Sequence, residues 1–131
     1  MSMSLFDIAG RAMSAQLVRL NTTASNLANA GAVSGSQDSA YKPLKPVFET
    51  VYEGEKATVG IAGVVQAQVN AERRYEPGHP LADAGGYVYE AAVDPDAEMV
   101  ELVETSRQYR NNIEILETAK SLTLETLKLG R

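Results

Sequence analysis

The sequence has no cysteine, no tryptophan, a single histidine and only two phenylalanines in 131 residues. Without cysteine, disulfides, thiolate nucleophiles and thiolate metal sites are excluded together. Large side chains that anchor a core are scarce. Hydrophobic residues make up 44% of the chain, but 18 of them are alanine. A domain of this length normally buries most of its apolar surface, and this one has little bulk to bury. No basic run occurs and the net charge is −5, so nucleic acid, whose phosphates need clustered Lys and Arg, is not an expected partner. No stretch approaches the ~18 consecutive apolar residues of a membrane span, so direct membrane insertion is not expected either. The N-terminus lacks the basic, apolar and small-residue regions of a Sec-type signal. The expected fates are to stay in the cytoplasm or to leave by a route that cleaves no peptide.

The residue types of catalysis are equally sparse. His79 sits in the run Glu76-Pro77-Gly78-His79-Pro80, which is turn chemistry rather than a general-base setting. Asp94, Asp96, Glu98, Glu101 and Glu104 lack the glycine-containing spacing of a calcium loop, and read instead as a solvated start of a helix. No glycine-rich phosphate loop follows a strand. The expectation is a protein that is not an enzyme, with no catalytic residue, cofactor or metal.

The information lies at the two ends. The chain divides into a helix over 4–30, a linker over 31–46, a small β-rich segment over 47–92 and a second helix over 94–129. Ser4 followed three residues later by Asp7 is a capping-box pattern. Phe6, Gly10, Met13, Leu17, Leu20, Ala24 and Leu27 then step alternately by four and three, the 3.5-residue period of a coiled-coil seam, with Ile8 widening it at the start. Asn21, Thr22, Thr23, Ser25, Asn26 and Asn29 weaken its second half, which should persist only when other contacts hold it. The second helix opens on Asp94-Pro95, a capping Asp before Pro at the first helical position. Its stripe is Met99, Leu102, Ser106, Tyr109, Ile113 and Leu116. Leu122, Leu124, Leu127 and Leu129 make its last turns apolar nearly all round. Between the helices, the Gly/Ser-rich 31–40 and Lys42-Pro43-Leu44-Lys45-Pro46 read as a flexible linker. Alternation from Val65 to Ala71 reads as a half-buried strand, with weaker strands at 47–52 and 87–89.

The fold class expected is therefore mainly α: two long terminal helices forming a coiled-coil pair, a flexible linker and a small hairpin-like middle. Such a chain cannot bury its stripes alone, which points to a subunit of an assembly. Phe6, Ile8, Met13, Leu17, Leu20 and Leu27 would carry one side of the packing, and Met99, Leu102, Tyr109, Ile113, Leu116 and Leu127 the other. Asn21, Asn26 and Asn29 would hydrogen-bond across the interface and fix its register.

Several ordered motifs carry a family resemblance. Phe6-Asp7-Ile8-Ala9-Gly10 and the run Arg19-Leu20-Asn21-Thr22-Thr23-Ala24-Ser25-Asn26-Leu27-Ala28-Asn29-Ala30 resemble the N-terminus of bacterial flagellar axial proteins. That opening, with Tyr41-Lys42-Pro43, is similar to the proximal rod branch of the family. The middle run from Tyr75 to Val88, the stretch from Glu98 to Asn112 and the ending Leu127-Lys128-Leu129-Gly130-Arg131 resemble the same branch. The chain departs from it at Ala91-Ala92-Val93-Asp94, where the family usually carries Pro-Asn-Val-Asn, so the second helix is expected to begin differently. The resemblance implies a structural subunit of the basal-body rod in the periplasm. Its partners would be copies of itself, other rod proteins and the flagellar type III export apparatus that carries it without a cleaved signal. Export recognition in such substrates resembles a Phe followed four residues later by an apolar residue, a pattern that Phe48 and Tyr52 fit. The alternatives are a neighbouring short rod protein, and a soluble helical-hairpin adaptor or export chaperone that never polymerises.

Overall fold

The computed structural model describes residues 4–130. Helix α1 spans Leu5–Ala28 and helix α2 spans Pro95–Leu129. Between them lie β1 (Val33–Ser34), β2 (Leu44–Glu53), β3 (Lys56–Gln66), β4 (Glu72–Tyr75) and β5 (Tyr87–Glu90). Two antiparallel sheets result: a hairpin of β2 and β3, and a three-stranded sheet in the order β1-β5-β4. The mainly α class is thus corrected. Strands form a substantial second component, and the hairpin alone uses strands of 10 and 11 residues.

Both helices begin as their sequences dictate. The Ser4 side chain accepts from the Asp7 amide while the Asp7 carboxylate accepts from the Ser4 amide, a closed capping box. Asp94 Oδ1 accepts from the amides of Asp96 and Ala97, and Pro95 takes the first helical position. The helices run antiparallel: Arg19 of α1 pairs with Glu101 of α2, and Asn112 Nδ2 donates to Gln16 Oε1 at 3.0 Å.

Their contact is not the coiled coil that the leucine spacing predicts. The residues α1 buries are Ala9, Ala15, Thr22, Thr23 and Asn26, whereas Phe6 and Leu17 on the expected seam are exposed. The cause is that α1 has two neighbours, α2 and the hairpin. Both lie against its small and polar residues, which allow close approach and leave no holes for leucine knobs. On α2 the only buried residue is Thr105, fully enclosed, with a hydroxyl that has no partner within the described residues.

The linker expectation is corrected as well. Residues 31–46 contribute β1 and the first strand residues of β2, and polar side chains tie the rest down. Asn26 in α1 does most of this. Its Oδ1 accepts from the Leu44 amide and the Tyr41 hydroxyl, each at 2.7 Å, and its Nδ2 donates to the Leu44 carbonyl at 2.9 Å. Ser25 Oγ lies 3.0 Å from the same Tyr41 hydroxyl. Gln37 repeats the device on Ala71, donating to its carbonyl and accepting from its amide at 2.9 Å each. One side-chain amide thereby satisfies both backbone groups of a residue that has no strand partner. This also explains why the alternation from Val65 to Ala71 is not one strand. Beyond Gln66 the chain is held by Pro43, Lys42 and Gln37, not by a ladder.

The hairpin turns at Gly54, whose φ of 66° supplies the positive angle wanted at the first position of a two-residue turn. Ala62 is the extra residue of a bulge where Val47 pairs with Gly63 and Phe48 with Ile61. In the other sheet Val88 is fully buried, among Ala40, Ala67, Ala71 and Ala91 as the remaining buried apolar residues of the middle segment. The Tyr75 and Tyr87 rings meet at 5.2 Å, and the Arg73 guanidinium lies 4.1 Å over Tyr87. Between β4 and β5, His79 Nδ1 accepts from the Leu81 amide, which confirms it as a turn residue. The Asp83 carboxylate accepts from the amides of Gly85 and Tyr87 and from the Tyr89 hydroxyl. These bonds, the Tyr87 amide first, hold its pKa below the ordinary carboxylate value.

Two predictions follow from these bonds. Asn26→Leu leaves both backbone groups of Leu44 without a partner and is expected to cost about 1–3 kcal/mol, read from urea denaturation. Asp83, depressed in the folded state, stabilises its loop above the ordinary carboxylate pKa, and that contribution is lost as pH falls through the lower folded value. Protection of the Gly85 and Tyr87 amides, relative to their intrinsic exchange, is therefore expected to fall as pH drops below about 4, and Asp83→Asn to remove that change in protection.

Candidate assembly interface

A chain with so small a core leaves its large side chains outside. On α2, Met99, Val100, Val103, Ile115, Leu122, Leu124, Leu127 and Leu129 are all exposed, Leu129 at 87%. On α1 the exposed set is Leu5, Phe6 and Leu17, and on the hairpin it is Val47, Phe48, Tyr52, Val64 and Val65. Scattered exposed leucines need no explanation, but long contiguous apolar faces mark interaction surfaces.

Length explains the densest of these faces. At ~1.5 Å per residue, α2 runs about 52 Å against about 36 Å for α1. Leu5 of α1 lies with Ile115, Ala119 and Leu122. Residues 123–129 therefore extend past the start of α1 with nothing among the described residues beside them, and each is exposed.

The residues singled out from sequence fall into three groups. Ile8, Met13, Leu20, Leu27, Leu102, Tyr109, Ile113 and Leu116 are half-buried within the subunit. Phe6, Leu17, Asn21, Met99 and Leu127 are exposed. Asn26 and Asn29 are engaged inside the chain, Asn26 on Leu44 and Asn29 donating from Nδ2 to the Ser25 carbonyl of its own helix. Phe48 and Tyr52 share one face of β2, both exposed, Tyr52 at 71%. Sequence reasoning missed the small face of α1 and the bonds of Gln37 and Tyr41. Alternating steps of three and four fit several faces of one helix, and bulk drew the choice to the leucines.

Among the described residues no group of three His, Cys, Asp or Glu side chains is placed to hold a metal ion, and no helix is long and apolar enough to cross a membrane. Two shallow grooves follow the line where α1 meets the hairpin, and another lies between Leu5 and α2. What the surface offers is packing area on helices and strands.

Known proteins place this surface in context. Residues 6–35 match the family described as flagella basal body rod protein, and residues 84–129 match that described as flagellar basal body rod FlgEFG protein C-terminal. The two matches cover α1 from its second residue onward and the whole of α2. Over 131 residues the chain is 47% identical to the flagellar basal-body rod protein FlgC of Salmonella typhimurium. It is 46% identical to that of Escherichia coli O6:H1 and 43% identical to that of Yersinia enterocolitica. Each alignment spans 98% of both chains. With identity at this level over nearly the whole length, the chain belongs to the FlgC family of flagellar basal-body rod proteins, and is a structural subunit of the rod rather than an enzyme.

Proposed function

We propose that this subunit builds the proximal part of the rod, assembling helically with copies of itself and its rod neighbours around an export channel. The resulting wall serves as a drive shaft that transmits torque. The observation that carries this reading is the uncovered end of α2, with Leu122, Leu124, Leu127 and Leu129 each at least half exposed. An apolar face of that kind marks a surface that another subunit covers. Heterologous contacts that do not close on themselves generate the helical tube such a wall needs. The exposed Phe6, Leu17, Met99 and Asn21 extend the same contact surface along both helices.

The proposed route is export through the flagellar type III apparatus to the periplasm, without a cleaved signal. The small core supports it, since Val88 and Thr105 are the largest fully buried side chains and little has to be dismantled for passage. Phe48 and Tyr52 are the proposed recognition pair, four residues apart in a segment that would be read as an unfolded chain.

The test is a paired substitution, Leu122→Asp with Leu127→Asp. Both side chains are exposed, so the melting of the isolated subunit should shift by no more than a surface change does, about 0.5 kcal/mol. Supplied to flagellated cells lacking their own copy, the variant is expected to leave rods unfinished and cells non-motile. Normal motility with normal rods would overturn the reading.

A further inference from the structure

The outer face of α2 carries a charge pattern that the rod reading does not use. Val103 and Arg107 stand two residues to either side of the enclosed Thr105, so at ~100° per residue they lie on the opposite side of the helix. Steps of four and three from Asp96 through Val103 and Arg107 to Lys128 select ten positions along that side, all of them exposed. Among the described elements α2 packs on α1 alone, so nothing covers this row. Read inward from its two ends, the row complements itself. Asp96 answers Lys128, Arg107 answers Glu117 and Arg110 answers Glu114, an acid against a base each time. Val100 likewise answers Leu124, and Val103 answers Ser121. Every couple shares one midpoint, Asn112.

We propose that the outer face of α2 pairs with the same face of a second copy of the chain, antiparallel, about a two-fold axis beside Asn112. Three observations favour that occupant. The charges match along the whole row only in this orientation, whereas a parallel pair in register would set Arg on Arg and Glu on Glu. Within the subunit these charges are idle. Among the described residues Asp96, Arg110, Glu114, Glu117 and Lys128 form no ion pair, and Arg107 meets only Glu104, at 4.0 Å. The apolar couples fall toward the two ends of the row, where Val100, Val103 and Leu124 are each at least half exposed. Exposed ion pairs contribute little apiece, so the charges fix the register of a weak, salt-sensitive dimer. A two-fold contact closes after two copies, so this pairing goes beyond the rod reading and is not the contact that extends a tube. It covers Leu124, and the pair must part before that side chain can meet a rod neighbour.

The test is sedimentation equilibrium of the purified full chain at ionic strengths of about 0.02 M and about 0.5 M. The expected result is a dimer at low salt that dissociates at high salt. Two charge variants probe the register, one carrying Arg107→Glu with Arg110→Glu, the other Glu114→Lys with Glu117→Lys. All four positions are exposed, and circular dichroism checks that each variant keeps its helices. Each variant alone is expected to be monomeric, because like charges then face one another. An equimolar mixture is expected to form a dimer with one chain of each kind. A second measurement leaves the charges untouched and uses the absence of cysteine. Chains carrying Val103→Cys are mixed with chains carrying Ser121→Cys and oxidised at low salt, and the disulfide joining one of each is expected to exceed either like-with-like product. A wild-type chain that stays monomeric at low salt overturns the pairing. So do variants that associate as the wild type does, folded variants that fail to pair when mixed, and a mixed disulfide no more abundant than the like-with-like products.

Discussion

The fold depends on a side-chain amide doing the work of a strand. Asn26, buried on α1, bonds the amide and carbonyl of Leu44 and the hydroxyl of Tyr41 at once. That attachment sets where β2 begins and therefore where the hairpin lies against α1. The hairpin in turn covers the small face of the helix. Gln37 does the same for Ala71 at the approach to β4. Such bonds suit a chain short of large apolar residues, because geometry is fixed by directional contacts where bulk cannot fix it.

The same scarcity explains the division between inside and outside. Alanine, threonine, Asn26 and one valine make up most of the fully buried set, while both phenylalanines and most of the leucines at the end of α2 are exposed. In an ordinary monomer that arrangement would favour aggregation. In a rod subunit, with other rod subunits as neighbours, it is surface awaiting a partner. The longer α2 concentrates the effect, since its final turns lie beyond the reach of α1.

Much of this was legible in the residues, and the illegible part has a common cause. The helix starts at Ser4 and Asp94 follow from local capping chemistry, and the turn around His79 from proline and glycine, so all three are readable from adjacent residues. The start of β2 is obscured by Pro43 and Pro46, which suggest a linker, and most of β3 lies in 56–64, where the sequence shows no apolar alternation. Pro46 is accommodated in a two-stranded ribbon, which has free edges on both sides. Asn26 was recognised as a register-fixing amide, but its partner is a residue 18 positions away in the same chain. Nothing local distinguishes that partner from one on another subunit. The face that α1 buries was likewise set by the hairpin, a neighbour that its own periodicity does not encode.

The alanine-and-threonine interior has a consequence for how the protein tolerates change. In most domains the interior is where substitution is punished and the surface is where sequence drifts. Here Leu124, Leu127 and Leu129 at the end of α2 add little to the lone subunit's packing. In the proposed assembly their constraint comes from neighbouring subunits. Laboratory screens for a soluble, stable single chain would therefore be free to discard the side chains on which the proposed assembly rests.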